Sequence, residues 1–264
     1  MTGLRALLVH GVGIGSWSYR ALAADLAADH EVVVASRWGY GVAAAPAASF
    51  EELVEDIARL AGGPAAFVGV SGGATLVLAL AVAHPELVAA AVVHEPLVGP
   101  VAHELHVQVS AAAGQLAATP GEAGVVDFLR TLVGPSAWDR LSPGQRAGAM
   151  RNQAVVRAEV PLFLAFAPTP AQLAGLAGAP VLSSVGEESP RIRKAAAAVV
   201  AGYTARSPAV LPGVGHLAQL EGPAALAGLL RSIEGGALGA LQGGAGGDEE
   251  VLATRPGDEL HADR

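Results

Sequence analysis

The 264-residue chain contains no cysteine. That excludes disulfides, thiolate metal sites and a cysteine nucleophile, and it leaves the redox compartment open. Charge is scarce as well, at 15% of residues against 52% hydrophobic. Basic residues are the rarer sign, with 16 Lys+Arg against 24 Asp+Glu and a net charge of −8. Without a basic run there is nothing to displace the counterions of a nucleic acid, so nucleic acid is not an expected partner. Long apolar runs are missing too. Mean hydropathy is high, +0.45, mostly through alanine. Gly, Pro and charged residues cut every apolar run well below the ~20 residues of a membrane span. The first residues, MTGLRALLVHG, lack a signal peptide's longer apolar core and small-residue cleavage site. The expectation is therefore a cytoplasmic protein with no membrane partner.

What is present is a rhythm. Short apolar runs at 4–10, 31–36, 65–70 and 87–94 read as strands. Helical stretches at 17–29, 50–61 and 72–84 separate them. Ser49 is placed to cap the second of these, with Glu52 in the capping-box position. Near-continuously apolar strands are those covered on both faces, and strand–helix alternation predicts a doubly wound, mostly parallel α/β sheet. The rhythm breaks over 97–178, a helix-like stretch interrupted at Thr119-Pro120-Gly121, Gly134-Pro135 and Ser142-Pro143-Gly144. It reads as an insertion, too long for a loop. The rhythm resumes with a strand at 180–185, a helix at 190–202, a strand at 207–211 and a helix at 223–233. The expected organisation is a core of 1–96 and 179–234, a helical cap of 97–178, and a Gly-rich, then charged, disordered tail of 235–264.

Three motifs carry possible chemistry. Gly69-Val70-Ser71-Gly72-Gly73 fits a nucleophile elbow, in which a tight strand–helix turn lifts a serine hydroxyl above the sheet. A plain glycine-rich turn is the alternative. A phosphate cradle is disfavoured, because neither Gly-x-Gly-x-x-Gly nor Gly-Lys-Ser/Thr occurs there. His10-Gly11-Val12-Gly13 ends the first strand. Acyl transfer needs two backbone donors aimed at a developing oxyanion, and Val12 N–H and Gly72 N–H are the candidates. His10 reads as structural, fixing that loop. Leu211-Pro212-Gly213-Val214-Gly215-His216 lies between the last strand and last helix, where a loop can carry a general base.

Together these motifs resemble the α/β-hydrolase superfamily. The carried residues are His10-Gly11 with Trp17, Gly69-x-Ser71-x-Gly73, Gly215-His216, and Glu221-Gly222-Pro223. Arg37-Trp38-Gly39-Tyr40-Gly41 looks like the family's glycine-rich loop. The resemblance spans residues 4–233, with an abbreviated start and the insertion where the family puts its cap. It implies a serine hydrolase with Ser71 as nucleophile, His216 as base, and a carboxylate holding the imidazole. No cofactor and no metal are expected. The substrate would be a small, apolar carboxylic ester, thioester or lactone. A non-hydrolytic binding protein or lyase, and a C–C bond hydrolase, are the other readings. Oligomeric state is not legible.

The acid is less direct. The family usually places Asp three residues past a glycine in the turn after the next-to-last strand, and here that residue is Ser189. Before Pro190, Ser189 reads as a helix N-cap. Glu187 and Glu188 in the same turn are alternative acids. Glu95, before Pro96, is the preferred one. Proline biases it to extended geometry at the end of the strand beside the elbow, ~5 Å away. Its alternative role is to anchor the insertion. A Ser–His dyad without an acid stays open.

Overall fold

The computed structural model describes residues 4–40, 47 and 49–236. The strands are β1 (Arg5–Val9), β2 (Glu31–Ala35), β3 (Ala65–Val70), β4 (Val88–His94), β5 (Val181–Gly186) and β6 (Ala209–Leu211). They form one sheet in the order β2-β1-β3-β4-β5-β6. Every pairing is parallel. A parallel pair needs a long crossover, and helices supply it. These are α1 (Arg20–Leu26), α2 (Phe50–Ala61), α3 (Gly72–Ala83), α10 (Arg191–Thr204) and α12 (Pro223–Glu234).

Strand alternation divides the core in two. Leu7 and Val9 of β1 and Phe67 of β3 pack with α2, α3 and α10. Ala6, Leu8, Ala66 and Val68 pack on the other face with Leu22 and Leu26 of α1 and Leu226 and Leu230 of α12. This is why β3 and β5 are buried at every position. Apolar residues facing both ways are what a sheet covered on both sides requires. At the start of α2, Ser49 Oγ accepts from Glu52 N–H at 3.2 Å. The helix stops at Gly62, whose φ of 66° is left-handed, a common helix end.

Between β4 and β5 the chain is helical: α4 (His103–Ala118), α5 (Gly121–Val133), α6 (Pro135–Arg140), α7 (Pro143–Met150), α8 (Gln153–Ala165) and α9 (Pro170–Ala174). The Pro/Gly breaks read from sequence fall between these helices. Ser142 closes a full capping box with Gln145 at the start of α7. Phe128, Leu129, Trp138 and Val156 build a third apolar cluster inside the insertion.

Some expectations need correction. The helix read over 17–29 is a 3-10 turn, Ser16–Tyr19, followed by α1. The turn arises because Tyr19 is drawn inward, and its hydroxyl donates to Val9 O at 2.8 Å. A short helix, α11 (Ala218–Glu221), lies where none was read. Gly41 and most of the tail expected to be disordered, 237–264, lie outside the described residues. No helix among the described residues is long and apolar enough to cross a membrane.

Candidate active site

Ser71 sits between β3 and α3 with φ 56° and ψ −124°. A non-glycine residue held at positive φ is strained and must be over-determined by its surroundings. Here Ser71 N–H donates to His94 O at 2.9 Å, and Ser71 O accepts from Thr75 N–H at 3.0 Å. The turn is tight because its neighbours are small. A Cβ on Gly73 would lie 1.9 Å from Val9 O, so α3 can start this close to β1 only on glycine.

Glu95 follows β4, one strand over. It is 2% exposed. Its backbone is not extended as expected but has φ 51°. The preference that proline imposes is overridden by a set of tertiary bonds. Glu95 N–H donates to Ser184 O at 3.1 Å. Oε1 accepts from Gly186 N–H at 3.0 Å and Ser189 Oγ–H at 2.5 Å. Oε2 accepts from His216 Nδ1–H at 2.6 Å. Glu95 is therefore beside His216, and of the candidate acids it is the one hydrogen-bonded to the imidazole.

Ser189 does not cap α10, contrary to the sequence expectation. The N-cap is Pro190, with no side-chain cap bond. The Ser189 hydroxyl turns inward to Glu95 instead. The turn that lacks Asp thus receives the carboxylate from β4. Glu187 and Glu188 are exposed. Glu187 Oε2 accepts from Gly213 N–H at 2.9 Å and so braces the loop leading to His216. Glu188 lines a cavity near the site.

Two residues the sequence reading did not single out hold this arrangement. His94 is fully buried. Its Nε2 lies 3.1 Å from Gly215 O and its Nδ1 3.1 Å from Ser184 Oγ. Burial lowers its pKa, so it is neutral, with Nε2–H donating to the His216 loop and Nδ1 accepting from Ser184. Arg193 of α10 donates Nη2–H to Leu132 O of α5 at 2.6 Å, and its Nε is 3.4 Å from Glu95 Oε2. The charged Arg193 within an otherwise Ala-rich helix face was the available signal. The loop itself approaches β5 closely, since a Cβ on Gly186 would lie 2.2 Å from Val214 O.

Electrostatics at the imidazole follow from this. Burial, then the Arg193 charge, lowers the His216 pKa to about 4, against the opposing pull of Glu95. Burial alone would raise the Glu95 carboxyl, but the His216 hydrogen bond and the Arg193 charge bring it well below its usual range. The pair near neutral pH is carboxylate and neutral imidazole. With its proton on Nδ1, His216 keeps Nε2 as a free base.

Ser71, His216, Gly11 and Val12 line one small cavity. Among the described residues Ser71 Oγ makes no hydrogen bond to His216; such bonds often tighten only when substrate binds. A second, apolar cavity of about 40 Å³ opens on Ser71, Val12 and Gly72. Leu97, Leu105, Phe128, Leu132 and Phe163 line it. Val98, Leu129 and Trp138 are buried packing residues. A larger, more polar cavity of about 250 Å³ reaches His216, Arg193, Glu188 and Arg140. Leu132 and Arg193 belong to both of these larger cavities. Among the described residues no group of His, Asp and Glu could hold a metal ion.

A model of the alpha/beta hydrolase family matches residues 6–229. No curated protein sequence matches the chain. Among solved structures, a thermophilic esterase from Thermogutta terrifontis is similar with TM-score 0.71 and 20% identity, over 90% of this chain and 91% of that one. The enol-lactonase from Burkholderia xenovorans is similar with TM-score 0.63 and 18% identity, over 88% and 92%. The 2-hydroxy-6-oxo-6-phenylhexa-2,4-dienoate hydrolase from Rhodococcus sp. is similar with TM-score 0.64 and 19% identity, over 88% and 90%. At such identities the likeness speaks for the fold alone.

Proposed function

Because the chain belongs to the alpha/beta hydrolase family, we propose that it is a serine hydrolase of small carboxylic esters or lactones, working through Ser71, His216 and Glu95. The observation that carries this reading is the 2.6 Å bond between His216 Nδ1 and Glu95 Oε2, on a histidine that shares a cavity with the strained Ser71. In this reading Ser71 Oγ attacks the carbonyl carbon while His216 Nε2 takes its proton. Glu95 stabilises the imidazolium through Nδ1–H, and the imidazolium then protonates the leaving alcohol. A water activated by the same base releases the acid. Val12 N–H and Gly72 N–H receive the negative oxygen of each tetrahedral intermediate. Supporting this pairing, both residues line the apolar cavity with Ser71. Helices α4–α9 act as the cap.

The cavity volumes favour a short acyl group. The space of about 40 Å³ beside Ser71 is apolar, whereas the polar cavity at His216 opens toward α6 and suits the leaving group. On p-nitrophenyl esters, kcat/KM should be highest for acetate to butyrate. It should fall at least about tenfold by octanoate, since a chain that cannot be housed forfeits its burial energy and strains the cap. A rate rising through octanoate would refute the short-acyl assignment. Ligand-induced thermal stabilisation with no turnover of any ester would favour a binding protein instead.

The pH profile tests the base. A histidine whose pKa is lowered is neutral above that pKa, so activity is present above it and is lost as pH falls through it. The acid limb of kcat/KM should therefore lie at about pH 4, with near-UV circular dichroism at each pH separating protonation from unfolding. A limb near the ordinary imidazole value of about 6.5 in folded protein would contradict the lowering of the His216 pKa by burial, and the absence of any acid limb in the imidazole range, ordinary or lowered, would remove His216 as the base.

A further inference from the structure

Val12 can serve as an oxyanion donor only if its N–H is held in one orientation. The residues on either side of it are both tied to a single buried cluster. Gly13 N–H donates to the Tyr40 hydroxyl oxygen at 2.8 Å. Gly11 O accepts from Arg37 Nη2–H at 3.1 Å and from His10 Nδ1–H at 2.9 Å. Arg37 and Tyr40 follow β2, and both converge on Glu159 of α8. Arg37 Nη1 donates to Glu159 Oε2 at 3.0 Å and Nη2 to Oε1 at 3.3 Å. The Tyr40 hydroxyl donates to Oε1. Arg37 is 1% exposed, Glu159 3% and Tyr40 7%.

Such a cluster is a poor way to gain stability, because a buried ion pair often does no better than apolar residues of the same volume. What it supplies is direction. Burial, then the Glu159 charge, keeps Tyr40 protonated. Tyrosine has one hydroxyl proton. A carboxylate that only accepts takes that proton, which leaves the phenol oxygen to accept from Gly13 N–H. Arg37 has only donors; its Nη1 and Nη2 spend theirs on Glu159 and Gly11 O, and its Nε lies 3.4 Å from His10 Nδ1. Burial pushes the Glu159 carboxyl upward and the Arg37 charge pulls it back. The Arg37 guanidinium also stacks over the Tyr40 ring at 4.8 Å. Every bond in the set therefore fixes a loop atom on one side of Val12 or fixes a residue that does.

We propose that Glu159, acting through Arg37 and Tyr40, is a positioning residue for the oxyanion loop, so that seating α8 on the sheet domain aligns the Val12 N–H. The role given to Val12 rests on the serine-hydrolase reading above. The consequence is that closing the helical insertion and completing the oxyanion hole are one event. Glu159 is the one charge in the otherwise apolar stretch AEVPLFLAF, which marks a buried partner.

The test uses Glu159→Gln and Tyr40→Phe in the full chain, with amide hydrogen exchange at Val12 and Gly13 read alongside kcat and KM on p-nitrophenyl butyrate. A glutamine side chain has one acceptor oxygen where Arg37 and Tyr40 need two, and the substitution touches neither Val12 nor Gly13. It should speed Gly13 exchange at least about tenfold and lower kcat about 10–100-fold with KM nearly unchanged. The Ki of a trifluoromethyl ketone, which forms the oxyanion on Ser71, should weaken by a matching factor. Unchanged Gly13 exchange would overturn the proposal, as would a loosened loop with unchanged kcat. If Glu159→Gln does not fold, Tyr40→Phe, which deletes one oxygen, decides by the same readouts. If wild-type protein hydrolyses no ester, the hydrolase reading fails separately. Gly13 exchange then still decides the clamp, faster in Glu159→Gln supporting it and unchanged overturning it.

Discussion

Ser71→Ala should leave a folded protein whose kcat on p-nitrophenyl esters is lower by about 10⁶-fold. The substitution deletes one oxygen and nothing that holds the turn. The bonds that force φ to 56° run through the backbone of Ser71, to His94 O and from Thr75 N–H, and alanine keeps them. Gly73, whose missing Cβ lets α3 approach Val9 O, is untouched. The melting temperature should therefore barely move while turnover disappears. Residual hydrolysis above the uncatalysed rate, from the two backbone donors alone, is expected. Turnover within tenfold of wild type would remove Ser71 from the mechanism.

Glu95→Gln should lower kcat by about 10⁴-fold with little change in KM. Glutamine can still accept from Gly186 N–H and Ser189 Oγ–H, which bind Oε1 in the native protein. Its amide NH₂ then faces His216 Nδ1 in place of an oxygen. The imidazole must move its proton to Nε2, which is the wrong tautomer for a base. Adding Ser189→Asp to that variant should recover at least about tenfold. The Ser189 hydroxyl lies 2.5 Å from Glu95 Oε1, so a carboxylate at 189 starts within reach of the same histidine. In the Glu95 background, Ser189→Asp should instead lower activity, because two carboxylates would then compete for one buried site. Glu95→Gln with full activity would return the acid to open choice.

How much of this was legible depends on the range of the interaction involved. The sheet was, because apolar strands separated by helices are a local pattern, and Ala65–Val70 and Phe50–Ala61 fall where the pattern puts them. The turns that carry Ser71 and His216 were legible because glycines mark them. The pairing of Glu95 with His216 was an expectation from strand adjacency, but its backbone geometry was not readable. Proline at 96 argues for an extended Glu95, and only bonds to residues about ninety positions away explain φ 51°. Ser189 shows the same limit. Its local context says N-cap, and a carboxylate from another strand takes the hydroxyl. His94, Arg193 and Glu159 were missed for one reason: each is a single polar residue whose partner is distant in sequence. The insertion's helices were readable as such, while which of its apolar residues face a cavity was not.

The most direct test is mass spectrometry of the intact protein after treatment with a fluorophosphonate. The account predicts a single adduct, on Ser71, absent from Ser71→Ala. It also predicts that Glu95→Gln slows its formation by a factor close to the loss in ester turnover. Folded wild-type protein that forms no adduct at Ser71, or one that forms as fast without the Glu95 carboxylate, would contradict it.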